Sequence, residues 1–571
     1  MIALKRTPRI CALLFALVLL MNMAACGTTE TTSVLSEASA AETPVVSDEE
    51  PPPAMDASTE SSADIPSDSV ALPICEEKRT YTMFMTMPFF VSSLVEDMST
   101  GLQLFRTAQE RTNIYFDVTA VNGEVFDEQF QLMLASGNYH DVMDGMSKYT
   151  AGYDAAIDEG ICIDLYDLAV AYAPNYMRAV SADLNTLAQL VTDGGNMATF
   201  GILYAEANCE TQGYLIRDDW LSETGMDIPG TYDELHDVLA AFRDHYGAVG
   251  MAFNGTEETL LDYGYGCAGG DFLVIDGTVV SGFTLDSYYD FISMCAQWYQ
   301  EGLIYADFFT AATGDYDQLM VADQLGIVQG AATSFSTIEA YLTEDQAENF
   351  SLAGMSPVTI QEDDELHYCW NQPNYLKRTD AWAISAACED PIPLVQFVNY
   401  MFSEAGELLF NYGTEGDTFV FDENGVPQYT DVVINNPDQP YFFASYLYVS
   451  NAATEYLPGL MDVSASYYNF GDAEWAAYEL FREPANDGSY NYPDGASLTA
   501  EENERYAQLS SDMDTYIEET VNAWVIGQAE LNESSWTTFQ EQLRTLGIEE
   551  LTALKQAAYD RYQEKLERLT A

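Results

Sequence analysis

Several aromatic residues and one neighbouring amide stand outside the periodic apolar stripes of this chain. They are Phe89, Phe90, Trp370, Asn371, Trp382, Tyr441, Phe442, Tyr467 and Tyr468. Flat rings beside amides, carboxylates and arginine suit a ligand with an apolar C–H face and a rim of hydroxyl groups, as a sugar has. We expect these residues to line a ligand site. Trp220, in contrast, stands on a helical stripe beside Leu221, and we expect it in the core.

Catalytic and metal-binding motifs are not found in the sequence. The four histidines form no H-E-x-x-H, and there is no G-x-S-x-G elbow or phosphate-binding loop. Carboxylates are so frequent that a pair suited to glycoside hydrolysis carries no information. The acidic turns at 486–488 and 493–495 lack the spacing of an EF-hand loop. We therefore predict no catalytic residues, no metal site and no cofactor.

Cys26 is the one thiol with a predicted chemical role. The tetrapeptide Met23-Ala24-Ala25-Cys26 is typical of a bacterial lipobox, in which small residues fit the peptidase and the cysteine sulfur receives a diacylglyceryl group. The preceding apolar run, residues 11–21, follows a basic start and is shorter than a membrane-spanning helix. The sequence therefore predicts a lipoprotein signal peptide over residues 1–25 and lipidation at Cys26.

The segment behind Cys26 has the composition of a tether. Residues 27–72 contain no aromatic residue, no Lys and no Arg, so they cannot bury enough apolar surface to fold. We predict a disordered acidic tether over residues 26–75, with an end-to-end distance of about 35–40 Å. It would hold a folded body at the outer surface of a bacterial cytoplasmic membrane.

Charge and cysteine usage exclude several functions for the body of the chain. The formal net charge is −72, which repels nucleic acid and anionic lipid headgroups, so no nucleic-acid partner is expected. The chain has nine cysteines, and those beyond Cys26 are irregularly spaced without a C-x-x-C pair, so buried thiols are expected. Its length exceeds what one core supports, and two or more lobes are predicted.

The hydrophobic pattern predicts the elements that must position these residues. Strands are expected from Thr80 and over 114–121, each followed by a helical stripe, which indicates a parallel α/β sheet. The stretch 273–280 predicts a hairpin turned at Asp276-Gly277. Near the C-terminus, Thr499 and Glu502 form a capping box that opens a helix ending near Gly527, and two more helices follow.

Four segments resemble the extracellular solute-binding proteins of bacterial ABC importers, the family-1 type. Their residue ranges are 105–144 (FRTAQERTNIYFDV to ASGNYHDVMD), 200–242 (with YLIRDDWLSETGMDIPGTYDELHDVL), 411–432 (NYGTEGDTFVFDENG) and 498–562 (with IGQAELNESSW). They occur in the order of the family and together cover most of residues 80–565.

The resemblance implies an α/β, two-lobed periplasmic-binding-protein-like fold of type II with extra C-terminal helices. It places chain crossings near 204–214 and 375–382. Lobe 1 is expected over 76–205 with a return at 376–440, lobe 2 over 206–375, and a C-terminal helical region over 441–571. The implied function is capture of a carbohydrate, an oligosaccharide above all, in the interlobe cleft. A monomer would then deliver it to the membrane subunits of an ABC importer.

Two other functions stay open from the sequence. A lipid-anchored carbohydrate-active enzyme would need two carboxylates that frame a bound sugar bond, and a binding protein for peptides would share the same fold. A surface adhesin is disfavoured, because that class is expected to show β-sandwich repeats rather than βα units.

Overall fold

A computed structural model describes residues 70–208, 212–252, 260–308, 313–362, 364, 367–368, 374–449, 456–482 and 488–570. At Phe89, Phe90 and Phe442 the description covers the backbone alone. The signal peptide, Cys26 and most of the predicted tether lie outside these ranges, so their assignment stays a prediction. The described residues all belong to one compact unit. Within the described ranges, every helix is too short or too polar to cross a membrane.

Fourteen strands are formed by the described residues. They are β1 (Arg79–Met87), β2 (Ile114–Asn122), β3 (Val142–Met143), β4 (Phe200–Asn208), β5 (Gln212–Arg217), β6 (Val249–Ala252), β7 (Phe272–Ile275), β8 (Thr278–Ser281), β9 (Leu325–Ala331), β10 (Leu352–Met355), β11 (Asn374–Ile384), β12 (Phe419–Phe421), β13 (Pro427–Tyr429) and β14 (Leu460–Met461).

The α-helices of the same ranges lie mostly between these strands and at the C-terminus. They are α1 (Phe89–Ser92), α2 (Met98–Gly101), α3 (Gln103–Thr112), α4 (Gly123–Ser136), α5 (Tyr153–Asp158), α6 (Tyr166–Tyr172), α7 (Pro174–Val180), α8 (Leu184–Leu190), α9 (Asp218–Thr224), α10 (Tyr232–Tyr246), α11 (Asp286–Gln300), α12 (Thr313–Val321), α13 (Ser334–Glu339), α14 (Glu344–Ala347), α15 (Ile392–Met401), α16 (Glu404–Tyr412), α17 (Tyr441–Tyr448), α18 (Val463–Ser466), α19 (Asp472–Arg482), α20 (Ala500–Val525), α21 (Glu533–Leu546) and α22 (Ile548–Thr570).

The first half of the molecule is built on a six-stranded sheet in the order β14-β4-β11-β3-β1-β2. β1 is parallel to β2 and β3, because helices such as α3 and α4 return the chain to the same end of the sheet. β11 comes late in the chain and inserts antiparallel between β3 and β4. This order is the type II arrangement that the resemblance implies.

The second half is built on a four-stranded sheet in the order β10-β5-β9-β6. β5 is antiparallel to β9 and β10, and β9 is parallel to β6. Helix α19 lies close against this sheet because two positions there are glycine. A Cβ atom at Gly213 would fall 2.2 Å from the ring of Phe481, and one at Gly354 would fall 2.9 Å from the Cβ of Ala477.

Three crossings connect the two sheets. The chain leaves the first sheet at Asn208 and enters the second at Gln212, returns between Met355 and Asn374, and crosses again between Met461 and Asp472. Since β4 runs directly into β5, the carboxyl edge of the first sheet points toward the edge where β5 begins. β9 and β6 end at that same edge of the second sheet. The carboxyl edge of the first sheet and the carboxyl edge of the second sheet therefore both lie on the side where the crossings connect the sheets.

The three C-terminal helices complete the fold. The predicted capping box at Thr499 and Glu502 is present, and α20 ends two residues before Gly527. α20 and α21 pack in the core of the second half, where the ring centroids of Trp524 and Phe539 lie 5.2 Å apart. α22 also reaches the first half, because the Tyr562 hydroxyl donates to Asn185 Oδ1 at 2.8 Å.

The predictions for individual elements are confirmed. β1, β2 and the helices that follow them lie where the periodicity placed them, and β7 and β8 form the hairpin turned at Asp276-Gly277. Trp220 is 2% exposed and belongs to the core of the second half, as expected.

Candidate functional site: the edges that the crossings join

The carboxyl ends of β1, β2 and β3 lie together at one edge of the first sheet. Met87 is aligned with Asn122 across the β1–β2 pair, and Phe84 with Met143 across the β1–β3 pair. A helix or turn begins directly after each of these strands. Ligands of open α/β sheets bind in the crevice beyond this edge, so the residues that follow the strands are candidates for binding.

An arginine with two carboxylates occupies this edge. β11 pairs with β3 only at Ala383 and Ile384, so its earlier residues extend past the end of β3. Arg378 Nη2 donates to Asp144 Oδ1, and Arg378 Nε donates to Asp380 Oδ1 at 3.0 Å. Asp380 also accepts from the backbone N–H of Ser147 at 3.3 Å and from its hydroxyl. We call Asp144, Ser147, Arg378 and Asp380 the Arg378 cluster.

The Arg378 cluster is mostly buried and largely satisfied. Asp144 and Asp380 are 4% and 8% exposed, and the Arg378 side chain is 25% exposed. Burial raises the pKa of Asp144 despite the nearby Arg378 charge. Burial also acts to raise the pKa of Asp380, but Arg378 and the bonds from Ser147 outweigh it and lower the pKa. The cluster supplies fixed acceptors and one partly exposed guanidinium, which suits the recognition of hydroxyl groups.

The facing edge belongs to the second sheet. β9 ends at Ala331, opposite Gln212 at the start of β5. Gln329, two residues before the end of β9, accepts a hydrogen bond from the backbone N–H of Leu260 at 3.0 Å through Oε1. Helix α13 begins immediately beyond, and a Cβ at Gly330 would lie 2.8 Å from Ser334 Oγ. This edge therefore presents amide, hydroxyl and backbone groups.

Aromatic rings gather at the third crossing. Tyr467 stacks on Phe470 with ring centroids 4.5 Å apart, and Trp475 lies 5.5 Å from both Phe470 and Tyr478. The Tyr478 hydroxyl donates to Asn208 Oδ1 at 2.7 Å, which ties these rings to the end of β4. Tyr467, Phe470 and Trp475 are half-buried. Sequence reasoning identified Tyr467 but missed Phe470 and Trp475, although the density of rings over 467–478 was a signal.

Tyr441 and Tyr468 lie in a different cluster from Tyr467. Both pack against the core around Tyr429 in the first half, where the Tyr468 hydroxyl donates to Gln428 Oε1 at 3.0 Å. Burial raises the pKa of Tyr441 to about 12. Two consecutive tyrosines thus pack against opposite halves, and the structure does not bring all the predicted aromatics into one site.

Trp382 requires a correction. Its side chain is 0% exposed in the core of the first half, stacked on Phe397 at 5.5 Å, and its Nε1 donates to the Tyr456 carbonyl at 3.2 Å. It therefore does not contribute a ring to a ligand site here. Residues 380–384 of β11 are all buried, because this strand lies between β4 and β3 in the middle of the sheet and both of its faces are covered there.

Several other predicted residues cannot be placed. Trp370 and Asn371 lie outside the described residues, as does Cys26. The backbone of Phe89 and Phe90 forms α1, directly beyond β1 at the carboxyl edge, and the backbone of Phe442 belongs to α17. Their roles stay predictions.

A cavity of about 310 Å³ lies between the two halves beside the second crossing. Its walls come from α8 and β11 of the first half, from β7 of the second, and from α22 and the loop before α20. The lining includes Asn185, Gln189, Asn374, Tyr375, Asn491, Asp494, Tyr559, Tyr562 and Gln563. Amides and phenol rings dominate this lining, and none of its described residues is cationic.

Metal and thiol chemistry have little support at these edges. Among the described residues, no group of three or more His, Cys, Asp or Glu side chains could hold a metal ion. Cys75, Cys162, Cys267, Cys295 and Cys388 are free thiols. A reactive thiol combines exposure, a nearby cation and a lowered pKa, and none of the three buried thiols, Cys162, Cys267 and Cys295, combines these features. Cys209 and Cys369 lie outside the described ranges.

The family model for bacterial extracellular solute-binding proteins matches residues 92–408. Lipoprotein LipO of Bacillus subtilis (strain 168) is 25% identical over 260 residues, which is 43% of this chain and 49% of LipO, so this match spans about half of that relative. The fructooligosaccharide ABC transporter substrate-binding protein FusA of Streptococcus pneumoniae serotype 4 (strain ATCC BAA-334 / TIGR4) is 21% identical over 539 residues, covering 88% of this chain and 94% of FusA.

Solved structures share the fold. An HMO-binding, ABC-transporter-associated solute-binding protein from Bifidobacterium longum infantis ATCC 15697 superposes with a TM-score of 0.65 at 16% identity. The superposition covers 85% of this chain and 99% of that one.

Proposed function

Because the chain belongs to the bacterial extracellular solute-binding protein family, we propose that it captures an oligosaccharide between its two halves and delivers it to an ABC importer. The family, FusA and the Bifidobacterium protein are described as binding proteins, and the proposal assigns no catalysis to this chain. FusA, whose match covers 88% of this chain, carries the word fructooligosaccharide in its name.

The observation that carries the proposal is the composition of the cavity between the halves. Its lining pairs tyrosine rings with amide and carboxylate side chains, and it draws them from both halves. Phenol rings can pack on the C–H face of a sugar, while amides donate to and accept from its hydroxyls. Because both halves contribute, a ligand held there would contact each of them and could bias their relative position.

The Arg378 cluster and the rings at the third crossing are further candidate contacts outside the lining of this cavity. Arg378 and its carboxylates end the first sheet, and the half-buried rings of Tyr467, Phe470 and Trp475 follow β14 into the second half. An oligosaccharide of several units suits polar and aromatic groups spread over such a length better than a single ion does. We include Phe89, Phe90, Trp370 and Asn371 as candidate contacts from the sequence.

The membrane part of the proposal rests on the N-terminal sequence. Cys26 would carry a diacylglyceryl group, whose two acyl chains give the stable anchoring that a single chain would not. The tether would then hold the binding body at the outer face of the cytoplasmic membrane, within reach of the importer's membrane subunits. LipO, a relative named as a lipoprotein, is consistent with this arrangement.

A thermal-shift screen of the Cys26→Ser chain tests the proposal. The panel contains fructo-, xylo-, manno-, galacto- and gluco-oligosaccharides of two to six units, with di- to pentapeptides as the second ligand class. A ligand at 100 times its Kd stabilises the folded state by about 2.7 kcal/mol, which raises the Tm measurably. A shift with an oligosaccharide supports the proposal. Shifts with peptides alone contradict it, and release of shorter sugars from a bound glycan would indicate an enzyme instead.

A further inference from the structure

The placement of positive charge limits the kind of sugar that this protein can accept. Of its 20 Lys and Arg residues, Lys5, Arg6 and Arg9 belong to the leader, and the other 17 all lie within the described ranges. The internal segments outside those ranges contain Asp and Glu but no Lys or Arg. Every cation of the folded body can therefore be located.

Few of these cations lie near the edges that the crossings join. Lys148 follows β3, Lys377 and Arg378 belong to β11 at the second crossing, and Arg482 ends α19 beside β4. Arg178 lies on α7 and lines a cavity together with Tyr204 and Tyr375, and the others lie elsewhere, for example Arg79 at the opposite edge of the first sheet. Six lie on the C-terminal helices α20 to α22.

Carboxylates lie against three of the cations at these edges. Lys148 Nζ lies 2.7 Å from Asp127 Oδ1, and Arg482 Nη2 lies 3.4 Å from Glu206 Oε2. Arg378 is shared by Asp144 and Asp380, so this cluster carries more carboxylates than cations.

The same pattern surrounds the cavities. Lys565 lies behind the wall of the 310 Å³ cavity, where it is 2% exposed. Its ammonium contacts Val191 O at 3.1 Å, Gly495 O at 3.0 Å and Asp193 Oδ1 at 3.2 Å. Arg178 lines a second cavity, of about 420 Å³, together with two carboxylates, Glu404 and Glu407. The carboxylate of Asp494 faces the first cavity.

A sugar carboxylate would meet an unfavourable site under these conditions. To bind it, Arg378 would have to donate to the sugar carboxylate as well as to Asp144 and Asp380, so that three carboxylates would share one guanidinium. Like-charge contact with Asp380 or Asp494 would add repulsion. Hydroxyl groups carry neither cost, because they donate to the carboxylates and accept from the guanidinium.

We infer that this protein selects uncharged oligosaccharides and rejects those that contain uronic acids. The inference rests on the proposed function and names the substrate class of the same site. Specificity here would come from carboxylates that repel the wrong ligand as well as from groups that contact the right one.

Calorimetric titration of the Cys26→Ser chain at about 20 mM salt tests this inference, because weak screening favours any binding of an anion. Neutral oligosaccharides are compared with trigalacturonate, trimannuronate and a glucuronic-acid-substituted xylotriose, the last matched by xylotriose itself. We expect a neutral sugar to bind at least 100-fold more tightly than any uronate. A uronate that binds within tenfold of the best neutral sugar overturns the inference and leaves the proposed function standing. Binding of no sugar at all contradicts the proposed function itself, and the inference with it.

Charge-removing variants localise the effect. Asp380→Asn removes one carboxylate from the Arg378 cluster, and Asp127→Asn removes the partner of Lys148, so each should reduce the preference for neutral over acidic sugar by threefold or more. Asp390→Asn is the matched control, because Asp390 pairs with Arg79 at the opposite edge and the change in net charge is the same. An equal effect in all three variants would mean that overall charge, rather than the site, sets the preference, and would contradict the inference.

Discussion

Asp262 is expected to make the stability of this protein fall as the pH rises toward 7. Its side chain is 0% exposed in the second half. Oδ2 accepts a hydrogen bond from the backbone N–H of Gly269 at 2.5 Å and lies 3.9 Å from Cys267 Sγ. Oδ1 has no hydrogen-bond partner among the described residues. The titratable groups that face it are Tyr232, Cys267 and Cys295, none of which is a cation.

Burial raises the pKa of Asp262 from 3.8 to about 7. The folded state therefore binds a proton more tightly than the unfolded state, and this contribution to stability is fully present below pH 4 and is lost as the pH rises through 7. A shift of about three pH units corresponds to about 4 kcal/mol, of which about 3 kcal/mol is lost between pH 5 and 8.5.

Urea unfolding of the parent and of Asp262→Asn, at half-unit steps from pH 5 to 8.5, measures this effect. The amide keeps the shape of the carboxyl but does not titrate, so the free-energy difference between parent and variant should change by about 3 kcal/mol over this range. Asp390→Asn, which removes a carboxylate from an exposed position, controls for the change in net charge. A difference between the parent and Asp262→Asn that stays constant with pH would refute the argument, because it would mean that Asp262 does not titrate in this window.

The remaining predictions concern packing, ligand contacts and the anchor. Trp382→Ala should destabilise the folded chain by about 3–5 kcal/mol in urea unfolding, because it empties a fully buried site, and a loss below about 1 kcal/mol would contradict its place in the core. Tyr467→Ala should weaken oligosaccharide binding by about 1–3 kcal/mol in calorimetric titration, with Trp536→Ala on α21 as the control ring that should leave affinity unchanged. If both variants bound the oligosaccharide with the affinity of the parent protein, Tyr467 would be excluded as a contact. Cys26→Ser should move the protein from the membrane fraction to the medium in cell fractionation, and a variant that stays with the membrane would disprove the lipid anchor.

The elements that depend on local patterns were the most predictable part of the fold. The capping box at Thr499, the turn at Asp276-Gly277 and the alternation in β1 and β2 each reflect interactions within a few residues, so the sequence displays them directly. The division into two sheets with crossings near 204–214 and 375–382, in contrast, depended on the resemblance, because chain length requires more than one core but does not show where the chain returns. The third crossing, between Met461 and Asp472, was not predicted.

The candidate site was harder to predict for physical reasons that individual residues illustrate. Arg378 and Asp144 are 234 positions apart and meet only because β11 extends past β3, so no local motif marks their pairing. Trp382 and Tyr467 both lie near a crossing, yet Trp382 stands inside a central strand whose two faces are covered, whereas Tyr467 follows β14 and is half-buried. An aromatic residue near a crossing is therefore only a candidate for ligand contact until its position in the sheet is known.

Small-angle X-ray scattering of the Cys26→Ser chain, with and without the neutral oligosaccharide that gives the largest thermal shift, tests the central claim most directly. A ligand that contacts both halves favours the arrangement in which they lie closer together. We expect the radius of gyration to decrease when the sugar is present at 100 times its Kd. An unchanged radius of gyration in a sample where calorimetry shows the site to be saturated would contradict capture between the two halves.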